Sequence, residues 1–152
     1  MTGPAQLATF LVGGHEYALD IMRIKEIIVP LGITPVPRAP AFLEGVIELR
    51  GAIIPVVDLR KRFDVPAPAP SRATKYIIVA IDRSIVGLVV DAVGEVVRPA
   101  AGELRPPPPL VSSDGPSPFA AVCRHGGRLI MVLDLDRVLT SREKLTLSGM
   151  SA

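Results

Sequence analysis

The stretch Gly45–Phe63, GVIELRGAIIPVVDLRKRF, decides the fold of this chain. Its first part, Gly45 to Gly51, alternates apolar and polar residues and ends on a glycine, which predicts a strand followed by a turn. Its second part, Ala52 to Leu59, is almost continuously apolar and rich in β-branched residues. So short an apolar run is typical of a strand covered on both faces, because a helix would be longer.

Pro55 interrupts the second of these strands. Because proline has no N–H to donate to a strand ladder, we expect this strand to lie at a sheet edge, carry a bulge or bend sharply. A strongly bent strand that is shared between two faces is what a small closed barrel requires. The stretch therefore favours a small β-barrel.

The pattern G-V-I-x-L-R-G-x-x-x-P-V-x-D-L-R in this stretch resembles the signature of the CheW family, the coupling proteins of bacterial chemotaxis arrays. Glu48 departs from the pattern, since the family usually has a small polar residue, typically Asn, at this position. The matching residues are Gly45, Val46, Ile47, Leu49, Arg50, Gly51, Pro55, Val56, Asp58, Leu59 and Arg60.

The resemblance implies an all-β fold with two small SH3-like five-stranded β-barrels packed together and a short C-terminal helix. We expect one CheW-like domain over residues 6–145, with sub-barrels at 6–65 and 74–140, and a frayed tail at 146–152. The Pro-rich residues 66–71 would join the sub-barrels, and strands could be exchanged between them. Each barrel is too small to be comfortably stable alone, so their interface should be apolar and part of one shared core.

Two internal repeats, each a pair of similar segments that we call an echo, favour a double barrel independently of the resemblance. In the first echo, Gly51–Leu59 aligns with Gly127–Leu135. In the second echo, Ile24–Ile27 aligns with Val93–Val96, at a slightly smaller shift along the chain. Shifts that differ by loop lengths indicate two related barrels, because a repeat array would have one fixed and shorter period.

The rest of the chain is predicted to form short strands between turns and prolines. We expect a helical turn leading into a strand over Ile21–Ile28, one helical turn at Pro40–Glu44, and a terminal helix at Asp134–Glu143 capped by Asp134. The other strands are predicted at Ala8–Val12, Tyr17–Leu19, Tyr76–Ile81, Ile85–Val90, Val93–Val97, Phe119–Cys123 and Leu129–Leu133.

Composition argues against several classes of protein. The 17 basic and 15 acidic residues are dispersed and Trp is absent, so the chain lacks the basic clusters and stacking platforms of a nucleic-acid binder. No apolar stretch approaches the roughly 20 residues that span a bilayer, and the N-terminus lacks the basic start of a secretory signal. Cys123 is the single cysteine and cannot form an internal disulfide. We therefore expect a cytoplasmic protein without direct membrane insertion.

No catalytic or metal-binding constellation is found in the sequence. Cys123 and His125 lie close together, but no third or fourth zinc ligand is near them in the sequence. Asp58, Asp91 and Asp134 each follow a predicted buried strand, where capping and turn roles explain them. We therefore expect a binding protein, with no enzyme activity, no cofactor and no metal.

Glu26 and Arg50 are charges set among strongly apolar neighbours, so each is expected to be paired internally or to lie at an interface. The family resemblance favours an interface. Ile24-Lys25-Glu26-Ile27 resembles the V-x-E-I motif, whose Glu and preceding apolar residue lie at the receptor-binding groove of the family. Arg50 matches the Arg of the L-R-G motif. We therefore expect Ile24, Glu26 and Arg50 to bind the cytoplasmic helical tip of a chemoreceptor.

The loop Glu103–Leu110 resembles a segment through which the family contacts the kinase in rings. The expected contacts are Arg105 and Leu110, with Val86 as a weaker candidate, and a solvated linker is the alternative for this loop. The resemblance thus implies an adaptor that couples methyl-accepting chemoreceptors to the regulatory domain of a CheA-type histidine kinase. Such an adaptor would be recruited to receptor arrays at the membrane.

Three alternatives remain at this point. A CheW-like coupler could serve a gliding or developmental pathway instead of chemotaxis, and the Glu48 substitution does not distinguish these. An SH3-like module that binds RNA or a peptide is a second possibility, and a small enzyme is a third. The partner that co-purifies with the chain, a histidine kinase or RNA, would separate them.

Overall fold

The computed structural model describes residues 4, 6–69, 71–107 and 117–149. This part of the chain is mostly β, as predicted, with two short helices and a 3₁₀ turn at Ile21–Arg23. The strands are β1 Leu7–Val12, β2 His15–Asp20, β3 Ile24–Ile28, β4 Leu43–Leu49, β5 Ala52–Asp58, β6 Lys75–Ile81, β7 Ser84–Val90, β8 Ala92–Val97, β9 Leu104–Arg105, β10 Phe119–His125 and β11 Arg128–Leu133. The helices are α1 Leu59–Arg62 and α2 Ser141–Ser148.

The strands form two sheets. One has six strands in the order β8-β1-β2-β11-β10-β9, and the other has five in the order β3-β6-β7-β5-β4. Neighbours are antiparallel except for β2 with β11 and β5 with β7, which are parallel. The predicted all-β class with two β units is confirmed, although one sheet has six strands instead of five.

The internal echoes correspond to equivalent strand pairings. Ile24 of β3 pairs with Val79 of β6. In the second echo Ile24 corresponds to Val93, and the same shift relates Phe10 to Val79. Phe10 of β1 and Val93 of β8 also pair with each other. The hairpin β4–β5 has a bulge after Leu43, and the hairpin β10–β11 has one at Phe119, the equivalent position in the first echo. The sheets are therefore two copies of one pairing scheme, in which β9 beside β10 corresponds to the single bridge of Thr34 with Val46 beside β4.

The two sheets do not coincide with the predicted sub-barrels at 6–65 and 74–140. The six-stranded sheet combines β1 and β2 of the first half with β8–β11 of the second, and the five-stranded sheet combines β3–β5 with β6 and β7. The chain crosses from β2 of one sheet to β3 of the other through the short turn Ile21–Arg23. The exchange of strands that was expected as possible is therefore reciprocal.

A shared apolar core lies between the sheets, as predicted. It includes Phe10 and Tyr17 of the six-stranded sheet and Ile77 and Leu88 of the five-stranded sheet. Each sheet also encloses a smaller buried cluster, around Ile130 in one and Ile78 in the other. Alternate residues of β6 and β7 thus face the shared core and the inner cluster, which explains why these strands are apolar on both faces.

Pro55 lies in an interior strand and not at a sheet edge. Val46, which faces Pro55 across the β4–β5 pair, directs both its N–H and its C=O to Thr34 on its other side, at 2.9 and 2.8 Å. The pairing with β4 therefore requires no hydrogen bond from the backbone nitrogen of Pro55. The parallel pairing with β7 begins only at the next residue, Val56. The proline is tolerated because of this register.

The predicted helices are only partly correct. The terminal helix was expected at Asp134–Glu143 but runs from Ser141 to Ser148, because Thr140 and Glu143 form a capping box there. Asp134 caps a separate turn by accepting from the N–H of Asp136 at 2.9 Å. Leu147 is buried in the shared core, so the helix holds part of the segment that was expected to fray.

The two other predicted helical turns had different outcomes. The segment Ile21–Ile28 is confirmed as a helical turn leading into a strand. The segment Pro40–Glu44 is a hydrogen-bonded turn without helix, in which the N–H of Leu43 donates to the carbonyl of Pro40 at 3.1 Å, and β4 begins at once.

Candidate functional site

An open groove lies between the two sheets, where β3 of one sheet runs beside β1 and β8 of the other. A bulge in the pairing of β3 with β6 falls between Ile24 and Glu26, so both side chains turn to this groove. The inter-sheet groove, as we name it, is lined by Ala8, Thr9, Ile21, Ile24, Glu26, Ile27, Val93, Gly94 and Val96.

The floor of the inter-sheet groove is apolar and uncovered. Ile27, Val93 and Val96 are among the exposed large hydrophobic residues of the chain. Single exposed apolar residues need no explanation, but three on facing strands of one groove form a surface suited to a partner. The structure thus brings Ile24 and Glu26, two of the predicted receptor-binding residues, to an apolar groove.

Arg50 reaches the same site from a hairpin turn. Arg50 and Gly51 form the two-residue connection of β4 and β5, and both have a positive φ, at 50° and 83°. Two positive φ angles are the requirement of a type I′ turn, whose twist matches the strands it joins. From this turn the Arg50 side chain reaches Glu26 of β3.

Arg50 and Glu26 form a two-pronged ion pair. Nη1 of Arg50 donates to Oε1 of Glu26, and Nη2 donates to Oε2 at 2.9 Å. The Arg50 side chain is 73% exposed and that of Glu26 is 28% exposed. The salt bridge that was one of the two expectations therefore exists, but it lies at the surface, at the rim of the inter-sheet groove.

Each member of this pair holds the other in its charged form. The hydrogen bond from Arg50 lowers the pKa of the Glu26 carboxyl below its ordinary value. The same hydrogen bond raises the pKa of the Arg50 guanidinium. The rim therefore carries a full positive and a full negative charge at neutral pH.

The predicted kinase-contact residues are not all at one surface. Arg105 is exposed on β9 and lines a depression on the six-stranded sheet, which we name the β9–β11 depression. Val86 is 0% exposed, because its side chain points into the shared core, so the structure does not place it at a contact surface. Leu110 lies outside the described residues. The depression is lined by Arg105, Pro106, Val122, Arg124, Gly127, Leu129 and Met131.

A buried charge network connects the sheets elsewhere. Arg60 donates to both carboxylate oxygens of Asp58, at 2.8 and 2.9 Å, and to Asp91 at 3.0 Å. The N–H of Gly13 donates to the second oxygen of Asp91 at 2.7 Å. Asp58 also caps α1, as predicted, by accepting from the N–H of Arg60. The bridging role of Arg60 was missed, although the D-L-R end of the signature contains both Asp58 and Arg60.

Cys123 and His125 do not form a reactive pair. Cys123 is fully buried, and this burial raises the pKa of its thiol. His125 faces Glu103, with Nδ1 and Oε2 at 3.5 Å. Within the described residues, no group of three or more His, Cys, Asp or Glu is placed to hold a metal ion. No helix in the same part of the chain is long and apolar enough to cross a membrane.

The chain is similar to proteins of one family over nearly its whole length. The family model of the CheW-like domain matches residues 6–143. The chemotaxis protein CheW of Rhizobium meliloti (strain 1021) is 35% identical over 142 residues, which cover 93% of this chain and 92% of the relative. That of Treponema pallidum (strain Nichols) is 31% identical over 149 residues, which cover 95% and 88%.

A solved structure is similar over nearly its whole length. The scaffolding protein TtCheW from Thermoanaerobacter tengcongensis superposes with a TM-score of 0.83 at 34% sequence identity. The match covers 93% of this chain and 97% of that protein. The similarity therefore extends to both sheets and to their arrangement.

Proposed function

Because the chain belongs to the CheW family of non-catalytic chemotaxis scaffold proteins, which bind CheA and chemoreceptors, we propose that it couples the two through separate surfaces. One partner is the cytoplasmic helical tip of a chemoreceptor, and the other is the regulatory domain of a CheA-type histidine kinase. The chain acts by holding both partners together, and it is recruited in this way to receptor arrays at the membrane.

The inter-sheet groove supports the receptor as one partner. A helix that binds in a groove needs apolar anchors in the floor and charges at the rim. Ile27, Val93 and Val96 supply exposed anchors, and the pair of Arg50 with Glu26 supplies a charged rim. Ile24 lines the groove beside them. A helical tip can therefore bury its apolar face here while its polar flanks meet the rim.

The β9–β11 depression supports the kinase as the other partner. Its lining includes the exposed Leu129, the half-buried Met131 and two arginines, Arg105 and Arg124. Arginine beside apolar side chains is a common composition of protein interfaces. Leu110 of the neighbouring loop remains a proposed member of this contact on the family resemblance alone.

The observation that carries the proposal is that these two surfaces have no lining residue in common. A coupler must bind its two partners at once, and separate surfaces on one small domain allow this. If the regulatory domain of the kinase is a similar double barrel, contacts between unlike surfaces can continue into a closed ring.

Sedimentation of three purified components tests the proposal. The chain is mixed with a chemoreceptor cytoplasmic hairpin fragment and with the kinase regulatory domain, first singly and then together. We expect two binary complexes and a larger complex that contains all three. Competition between the two partners for the chain would contradict separate surfaces, and RNA bound to the purified chain would favour a nucleic-acid binder instead.

A further inference from the structure

A second ion pair repeats the pair of Glu26 with Arg50 on the other sheet. Glu95 on β8 is the equivalent of Glu26 in the second echo. Nη2 of Arg128 donates to Oε1 of Glu95 at 2.5 Å. Arg128 follows the turn of the β10–β11 hairpin, whose Gly126 is the equivalent of Arg50 in the first echo. In both sheets, an arginine at a hairpin turn thus holds the glutamate of an edge strand.

The second pair borders a depression that adjoins the inter-sheet groove. Glu16, Glu95 and Arg128 line a depression that shares Thr9, Val93 and Gly94 with the groove. The backbone between them is held in place, because the hydroxyl of Thr9 donates to the carbonyl of Glu95 at 2.7 Å. The two ion pairs therefore stand at two borders of one continuous surface.

The two borders differ in the charge that they present to a partner. At the first border, the cation is the more exposed member, with Arg50 at 73% and Glu26 at 28%. At the second border, Glu95 is 56% exposed and Arg128 is 44% exposed. A second carboxylate, that of Glu16, also approaches Arg128, with Nε and Oε1 at 3.2 Å. The second border therefore carries two carboxylates for one guanidinium.

We propose that Glu95, Glu16 and Arg128 form an acidic rim of the inter-sheet groove, and that this rim determines the direction in which a receptor helix lies. The inference rests on the proposed function of the groove. A groove between two sheets of equivalent pairing presents a similar apolar floor to a helix in either direction. The more exposed cation at one border and the excess carboxylate at the other remove this equivalence, because like charges that meet across an interface are unfavourable.

The occupant that fits is an amphipathic helix with charges of different sign on its two polar flanks. Its apolar face covers Ile27, Val93 and Val96. Its basic flank lies along the acidic rim, and its acidic flank lies along Arg50. Reversing the helix would bring basic side chains to Arg50 and acidic ones to Glu95.

Charge reversal at the acidic rim tests the inference. With a chemoreceptor cytoplasmic hairpin fragment as the probe, Glu95→Lys should weaken binding about tenfold at low ionic strength, and the loss should shrink as salt is added. Glu48→Lys is the matched control, since it makes the same charge change at an exposed position of β4 that does not line the groove. Reversal of the basic flank of the receptor helix to acidic residues should restore binding to Glu95→Lys.

Two further variants keep the outcomes distinct. Glu95→Gln removes the charge without placing a lysine beside Arg128, so it should show a smaller loss of the same sign even where Glu95→Lys is unstable. Ile27→Asp alters the apolar floor. If Ile27→Asp abolishes binding while Glu95→Lys and Glu95→Gln bind as tightly as the parent chain, the acidic rim is refuted and the receptor groove stands. If Ile27→Asp also binds normally, the groove is not the receptor site.

Discussion

Arg50 and Glu26 join the two edges of the five-stranded sheet. Glu26 lies on β3 at one end of the strand order, and Arg50 lies in the turn after β4 at the other end. Their two hydrogen bonds form only because the sheet curls until its ends approach each other. The same pair lies at the rim of the inter-sheet groove, so one contact closes a barrel-like sheet and also borders the proposed receptor site.

Charge reversal at Glu26 should separate these two roles. We expect Glu26→Lys to weaken binding of the chemoreceptor fragment about tenfold or more, because it places a like charge beside Arg50 at the rim. The melting temperature should stay nearly unchanged, since an ion pair this exposed contributes little to stability. A binding assay and a thermal melt of the same sample give the answer. A large fall in melting temperature would show that the pair is mainly structural.

Titration of the glutamates should reveal the two ion pairs directly. Hydrogen bonds from Arg50 and Arg128 lower the pKa of Glu26 and Glu95. Because the pKa is lower in the folded state than in the unfolded state, each ion pair stabilises the fold at pH values above the ordinary carboxyl pKa. This contribution is lost as the pH falls through the pKa that the carboxyl has in the folded state. Carboxyl-carbon NMR should show both glutamates titrating below the ordinary range. In Arg50→Gln, Glu26 alone should return to that range, and an unchanged Glu26 would argue against the pair.

Reversal of Arg105 should reduce assembly with the kinase. We expect Arg105→Glu to lower the amount of the large complexes that sediment when receptor fragment and kinase regulatory domain are both present, because it reverses a charge at the β9–β11 depression. Binding of the receptor fragment alone should be unaffected. Arg83→Glu, at an exposed position outside the depression, is the matched control. If both variants assemble to the same extent, Arg105 does not contact the kinase and belongs only to a connecting loop.

Removal of Arg60 should destabilise the fold strongly. Arg60→Met leaves the carboxylates of Asp58 and Asp91 without their cation in a nearly buried site, which should cost about 3 kcal/mol in the free energy of unfolding. Urea denaturation measures this. Arg137→Met, which removes a more exposed pairing with Asp134, should change the same quantity by less than about 1 kcal/mol. Similar values for the two variants would refute the structural importance of the network.

The last helix should contribute to stability through one residue. Leu147→Ala removes a buried side chain from the shared core and should cost roughly 2–4 kcal/mol. Leu145→Ala changes an exposed leucine of the same helix and should be close to neutral. Both free energies come from urea denaturation. Equal and small effects would mean that the C-terminal end of α2 frays in solution, as the sequence predicts for residues 146–152.

The sequence predicted the pairing scheme better than the connections between its strands. The shift of the second echo recurs in the register, where Val79 pairs with Ile24 and Phe10 pairs with Val93. Because the two halves carry equivalent patterns, β1 and β2 find equally suitable partners in either half. The chain leaves β2 through the short turn at Ile21–Arg23 and enters β3 of the other sheet, a change of direction that the hydrophobic pattern does not contain.

The helix prediction failed where two capping signals compete. Asp134 follows a buried strand and does cap a turn, but a single turn follows it. The stronger signal is the capping box of Thr140 and Glu143, which satisfies two backbone N–H groups at once.

The ion pair of the candidate site was foreseen as one of two possibilities, because charge among apolar neighbours does not say whether the partner belongs to the same chain.

The two sheets, which exchange strands between the halves of the chain, are what two separate half-length chains would form as a dimer. One half alone supplies a first hairpin to one sheet and the remaining strands to the other, so it completes neither, whereas two copies complete both. The chain has the construction of a strand-swapped dimer whose subunits have been fused end to end. Its folding must therefore wait for contacts between residues from opposite halves of the chain, such as Phe10 with Val93, which places it among slow, topologically complex folds.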